Sequence, residues 1–284
     1  MKTAAFKTAL VTGSARRLGR EIALRLAGEG YYTFIHYLGS KREAEGVLRA
    51  IEKAGGRGAL VRGDLGKAAE VDALADSVRA GLRAAGARGK SPHLDVLVNN
   101  VGVYKTGPLL DFSADDFEAT LQSNLIGTFR LIQALQPLLP QGGSVINIGY
   151  AGVEALSGST HNTAYLISKT GLLVLTKSLA MSLAPRGVRV NMVSPGILSN
   201  SVELPEHPSD FVPAHRLGTV AEVTDAVEFL IGEGAGYITG INLDVAGGYH
   251  LALRSLEKDA RAPRKPPSRK ATLGKATKGK AGRA

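Results

Sequence analysis

Short, largely apolar runs rich in β-branched residues recur at 8–11, 32–37, 59–62, 94–98, 144–148, 188–193 and 241–245, with longer amphipathic stretches between them. Runs of this kind predict strands buried on both sides, and connections of helical length predict that neighbouring strands are parallel. The expected fold is α/β: a single Rossmann-type, doubly wound parallel sheet of about seven strands with helices on both faces. Two helices are especially clear. Residues 19–27 set Ile22, Ala23, Leu24 and Leu26 beside Arg20, Glu21 and Arg25, and residues 164–183 carry a stripe through Leu172, Leu173, Leu175, Leu179 and Met181.

Composition adds bounds. At 284 residues with 44% hydrophobic content, the chain can bury a full core. It has no cysteine, which excludes disulfides and thiolate zinc sites, and its six histidines show no H-x-x-x-H spacing, so no metal is expected. The N-terminus runs into the first strand without the apolar core of a signal peptide, and no run approaches the roughly 18 apolar residues of a membrane span. A cytoplasmic setting is expected. The formal charge of +10 is uneven: from Arg254 onward there are 11 Lys and Arg against Glu257 and Asp259, leaving 24 basic and 23 acidic residues before it. Residues 254–284 are rich in Pro, Gly, Ala and Lys and predict a disordered basic tail, with weak polyanion binding as its one expected contact. Residues 1–253 form the nearly neutral folded domain.

The first strand ends in Thr12-Gly13-Ser14-Ala15-Arg16-Arg17-Leu18-Gly19, a turn into a helix whose glycines and backbone N–H groups suit a pyrophosphate. Gly13, Arg17, Leu18 and Gly19 are candidate cofactor contacts. Arg17 stands where a third glycine is usual, and its guanidinium suits the phosphates or an anionic or carbonyl-bearing substrate. The second strand ends in His36-Tyr37-Leu38-Gly39-Ser40-Lys41-Arg42, where NAD-selecting folds place an acidic residue. A hydroxyl and two cations suit a 2′-phosphate, so NADP(H) is expected, with His36, Tyr37, Ser40, Lys41 and Arg42 around the adenosine. The competing reading is that Lys41 and Arg42 merely open a charged helix.

Far downstream, Tyr165-x-x-x-Lys169 places a phenol and an ammonium on one helical face, where the cation can favour the phenolate. In order, Thr12-Gly13-x-x-x-Arg17-x-Gly19, Asn99-Asn100-Val101-Gly102, Asn124, Tyr165-x-x-x-Lys169, Ser194-Pro195-Gly196 and Tyr237-Ile238-Thr239-Gly240 resemble the short-chain dehydrogenase/reductase superfamily over about residues 6–250. The arginine variant of the glycine motif, with His36, Tyr37 and Ser40, looks most like its pteridine reductase branch. The resemblance implies that Tyr165 exchanges the substrate proton, that Lys169 lowers its pKa and holds the nicotinamide ribose, and that Asn124 anchors a relay water. It also implies that Asp64 and Leu65 lie beside the adenine, that Asn100, Val101 and Gly102 line the adenosine side, that Pro195 and Gly196 complete the cofactor site, and that the chain is a homotetramer or homodimer.

One departure matters. The serine that the superfamily places thirteen residues before the tyrosine is here Gly152; shifting the alignment puts Gly149 or Tyr150 there instead. Tyr150 is the candidate replacement, because its hydroxyl can donate to a substrate oxygen; the hydroxyls between Ser157 and Thr163 are the other source. The proline-studded segment after Gly196 is expected to be a modest lid. These features imply an NADPH-dependent reduction of a C=O or C=N bond in a small pterin-like or ketone substrate. Alternatives are a 3-oxoacyl thioester reductase of the same superfamily and a non-catalytic NADP-binding redox sensor.

Overall fold

The computed structural model describes residues 6–86, 93–201, 204 and 207–251. Seven parallel strands form one sheet in the order β3-β2-β1-β4-β5-β6-β7. They are β1 Thr8–Val11, β2 Tyr32–Tyr37, β3 Arg57–Arg62, β4 Val96–Asn99, β5 Ser144–Ile148, β6 Arg189–Pro195 and β7 Asn242–Val245. The crossovers carry α1 Arg17–Gly28, α2 Lys41–Lys53, α3 Ala68–Ala85, α4 Ala114–Leu121, α5 Gly127–Leu135, α6 Thr163–Leu183 and α7 Val220–Ile231. This is the doubly wound α/β fold that the pattern predicts.

Alternation along each strand divides the core in two. Ala9, Val11, Val98 and Ile146 face one layer with Ile22 of α1 and Val223 and Val227 of α7. Leu10, Leu97 and Val145 face the other, with Leu74 and Val78 of α3 and Leu131 of α5. Successive side chains point to opposite faces, so strands covered by helices on both sides must be apolar throughout.

The strand order reverses between β1 and β4, which opens a crevice at the carboxyl ends of the central strands. Polar struts stiffen the sheet beneath it: Asn99 Nδ2 donates to Asn147 Oδ1 at 2.9 Å, and Asn147 Nδ2 to Thr176 Oγ1 at 2.8 Å. Between α4 and α5 the helix widens into a π turn, Gln122–Ile126, that carries Asn124.

Among the described residues one helical stretch, Thr163–Arg186, is long and apolar enough to cross a membrane by length and composition. It meets that test on average hydropathy rather than as an unbroken apolar run. Its Leu172, Leu173, Ala180 and Leu183 are buried in the protein core. The predicted basic tail, 254–284, lies outside the described residues.

Candidate active site

A cleft of about 730 Å³ opens at the carboxyl edge of the sheet. It gathers Gly13, Arg17, Leu18 and Gly19 from the turn into α1, Asn100, Val101 and Gly102 after β4, and Tyr150 after β5. Tyr165 and Lys169 reach it from α6, and Pro195 and Gly196 from the end of β6. Residues as distant in the chain as Gly13 and Gly196 meet here because the contributing turns follow strands of the same parallel sheet.

The β1–α1 turn requires its two glycines. Gly13 has φ +64°, and a Cβ on Gly19 would lie 2.5 Å from both the Gly13 carbonyl oxygen and Asn100 Nδ2. Thr12 Oγ1 accepts from the N–H groups of Asn100 and Val101 at 2.8 and 3.1 Å, and Asn100 Nδ2 donates to the Thr12 carbonyl at 3.0 Å, so the two turns are locked together. No side chain caps α1 and no acid lies in its first turn, which leaves its positive end open to an anion. Arg17 takes φ +50° where glycine would be relaxed. A left-handed non-glycine residue costs about 1–2 kcal/mol. Arg16, beside it, donates from Nη2 to Ser40 Oγ and lies 3.9 Å from Glu43. This bare, cationic turn fits the pyrophosphate and 2′-phosphate of a dinucleotide.

Several adenosine-side candidates are not among the residues lining this cleft. His36 does not face the cleft: Gly13 N–H donates to its Nδ1 at 2.9 Å, and its Nε2 bonds the Gly63 carbonyl at 2.9 Å. Both ring nitrogens are used inside the protein, so His36 is a strut under the phosphate turn. Burial pushes its pKa down to about 4, which keeps it neutral. Tyr37 is half-buried against the core, and Leu65 is buried in the opposite layer. Asp64 closes its own turn, accepting from Gly66 N–H at 2.9 Å with Lys67 at 3.6 Å. Lys41 pairs with Glu45 at 3.9 Å within α2, as the charged-helix reading has it, and Arg42 makes no ion pair among the described residues. Arg16, noted in the sequence only as a neighbour of Arg17, is the cation that reaches Ser40.

At the other end of the cleft, Lys169 is buried and donates from Nζ to the Ile148 carbonyl at 2.7 Å, with Nζ 5.6 Å from the centre of the Tyr165 ring. Burial pushes its pKa down to about 8. The Tyr165 phenol is held above its ordinary value, first by burial and then by neighbouring Tyr104. Desolvation thus sets the direction, whereas the helical spacing alone suggests a lowered phenol. Asn124 is fully buried behind this site. Its Oδ1 accepts from Val103 N–H at 2.7 Å and its Nδ2 donates to the Val103 carbonyl at 3.0 Å and to Ser168 Oγ at 3.1 Å. Its side chain ties the loop after β4 to α6 and is a positioning group.

The missing serine resolves sterically. A Cβ on Gly149 would sit 2.3 Å from Ser194 Oγ, and Gly152 has φ +91°, so neither position suits a serine. Tyr150 does enter the cleft, flanked by bonds from Gly149 N–H to the Val193 carbonyl at 2.8 Å and from Ala151 N–H to the Pro195 carbonyl at 3.0 Å. Two of the loop hydroxyls are engaged elsewhere: Ser159 Oγ accepts from the N–H groups of His161 and Asn162, and Thr163 Oγ1 donates to the Ser159 carbonyl. Ile197, Leu198, Asn200 and Ser201 line the cleft from the expected lid. Tyr104 and Tyr249, absent from the sequence reading, line it too. Tyr104 follows Gly102 closely, and the pair Gly247-Gly248 before Tyr249 signals a tight turn aimed at the site.

The family model described as Enoyl-(Acyl carrier protein) reductase matches residues 13–250. The 3-oxoacyl-[acyl-carrier-protein] reductase FabG of Staphylococcus aureus is 34% identical over 253 residues, covering 86% of this chain and 98% of that one. The solved structure of landomycin C-6 ketoreductase LanV with bound NADP and rabelomycin matches with a TM-score of 0.80 at 32% identity, over 87% of this chain and 97% of that one. A blue fluorescent protein from a metagenomic library, in complex with NADPH, matches with a TM-score of 0.79 at 32% identity, over 87% and 99%. The chain belongs to the short-chain dehydrogenase/reductase superfamily, and it is an oxidoreductase of that superfamily.

Proposed function

We propose that this protein is an NADPH-dependent reductase of a C=O or C=N bond in a small substrate, pterin-like or a ketone. The observation that carries the reading is one cleft joining a bare phosphate turn, flanked by Arg16 and Ser40, to the Tyr165/Lys169 pair. NADP(H) is the cofactor; when bound it supplies the hydride. Tyr165 holds its proton at neutral pH because burial raises the phenol, and it gives that proton to the substrate oxygen or nitrogen as the hydride arrives at carbon. Lys169, largely protonated at neutral pH, then steadies the phenolate until solvent returns a proton. Tyr150 holds the substrate oxygen in place of the serine.

The pteridine reductase resemblance is supported by Arg17 held in the left-handed region at the phosphate turn and by Tyr150 at the serine position. The second reading, a 3-oxoacyl thioester reductase, is favoured by the 34% identity to FabG. The relative LanV, a ketoreductase, supports a ketone instead. NADPH consumption against pterins, quinones, ketones and a 3-oxoacyl thioester tests the proposal. Turnover of at least one class, with NADPH far better than NADH, is expected; binding of NADPH without turnover of any of them would overturn the reductase reading. A cytoplasmic homodimer or homotetramer is the proposed form, supported by Ile167, Val174 and Met181, exposed along α6 at 45%, 61% and 74%.

A further inference from the structure

The two ends of the cleft differ in chemistry, and only one is suited to a cofactor's phosphates. The other is walled by four tyrosines, Tyr104, Tyr150, Tyr165 and Tyr249. Tyr104 and Tyr150 both stand edge-on to Tyr165, at 4.9 Å and 86° and at 5.8 Å and 82° between rings. Tyr249 arrives on a turn built to place it. Gly247 and Gly248 take φ +58° and +86°, and a Cβ on Gly247 would lie 2.8 Å from Val212 Cγ1. Tyr249 N–H donates to the Ala246 carbonyl at 3.0 Å, and Ala214 N–H to the Gly247 carbonyl at 3.0 Å. Its phenol lies near that of Tyr150, whose pKa is raised first by burial and then by this neighbour.

Proton delivery needs one phenol, and holding a substrate oxygen needs one more hydroxyl. Two further rings are left, and aromatic walls with phenolic rims favour flat, polarisable partners over a flexible aliphatic chain, which gains area but no ring geometry. We propose that the tyrosine end is a substrate subsite for a planar aromatic or heteroaromatic ring system bearing or conjugated to the reducible bond, and that Tyr249 determines this specificity. Its ring supplies one wall, and its hydroxyl orients the Tyr150 hydroxyl toward the substrate oxygen. The inference rests on the reductase reading above and narrows its substrate class.

The test separates the two. Equilibrium binding of menadione, a planar quinone, and of a pterin to the protein saturated with NADP+ is measured by calorimetry for wild type, Tyr249→Phe and Tyr249→Leu. Removing the ring in Tyr249→Leu is expected to loosen both ligands about tenfold, the scale of one lost aromatic contact with its buried area. NADPH affinity should stay within about twofold of wild type, because Tyr249 lies away from the phosphate turn, and this also verifies that the variant is folded. Tyr249→Phe should keep ring binding but lower kcat on the quinone more than it raises KM, since only the anchor of Tyr150 is lost. In wild type, kcat/KM for the planar quinone should exceed that for a short, flexible 3-oxoacyl thioester by about tenfold or more. Equal ring binding by wild type and Tyr249→Leu, or a thioester preferred over the planar ketones, would overturn the subsite. Absent turnover with normal ring binding would instead count against the reductase reading alone.

Discussion

A phenol that is to give its proton at neutral pH must keep it until the substrate arrives, and burial provides this at Tyr165. Lys169 is held by the Ile148 carbonyl rather than by the phenol, so its charge is in place before any phenolate forms. Tyr165→Phe removes the transferable proton but keeps the ring packed against Tyr104 and Tyr150. Turnover should fall by roughly 10²–10⁴-fold, the range for loss of a general acid, while NADPH binding stays near wild type; steady-state rates with a fluorescence titration check both. Lys169→Ala should damage rate and binding together. At the phosphate end, selectivity is argued from Arg16 and Ser40 before Lys41 and Arg42, because Arg16 reaches the hydroxyl while Lys41 is paired within its own helix. Arg16→Ala should weaken NADPH by roughly tenfold or more, as loss of a charge-assisted hydrogen bond to phosphate requires, and leave NADH nearly unchanged. Arg42→Ala should do the same more weakly. If both cofactors weakened equally in Arg16→Ala, the guanidinium would be serving the shared pyrophosphate instead.

Between elements, His36 is the part of the nucleotide end whose role the sequence hides. Its place at the end of β2 invites a cofactor contact, yet the ring bridges the β1 turn to the end of β3 and has no nitrogen left for a ligand. Burial lowers its pKa from 6.5 to about 4, so between those values the unfolded chain takes up a proton that the folded one refuses. Stability from this group is therefore full above pH 6.5, falls as pH drops through the window, and levels off below about 4. The loss should reach about 3 kcal/mol at most. Denaturant unfolding across that window should show a steeper decline in wild type than in His36→Gln, and parallel curves would remove the strut from this account. The strands and helices were legible because apolar runs and amphipathic stretches repeat with their own periods, and Gly13, Gly19, Tyr165 and Lys169 because their spacing carries their chemistry. Tyr104 and Tyr249 were not, since each comes from a turn whose aim depends on the whole sheet. Asn124 was found but its contacts were not, because the π turn that aims it inward leaves no periodic mark.

For the whole molecule, the proposed division is a folded unit to residue 253 and a basic tail beyond it. The charge is the argument: the first 253 residues carry 24 basic and 23 acidic side chains, so nearly all of the +10 resides past that boundary. None of the cleft residues lies there, and the last of them, Tyr249, is anchored by its own glycine turn. Deleting residues 256–284 removes 10 basic residues with Glu257 and Asp259, a net of +8, and leaves that turn intact. Melting temperature and NADPH turnover should therefore remain near wild type. Affinity for DNA, RNA or anionic vesicles, where the full chain shows it, should collapse in the truncated form. It should also decline steeply with salt, since a Lys- and Arg-rich chain binds polyanions largely by releasing their counterions. Paired measurements on both forms at low and high salt decide the matter. A large loss of stability or activity on truncation would mean that the tail packs on the folded unit or across a subunit contact, and the boundary would have to move toward the C-terminus.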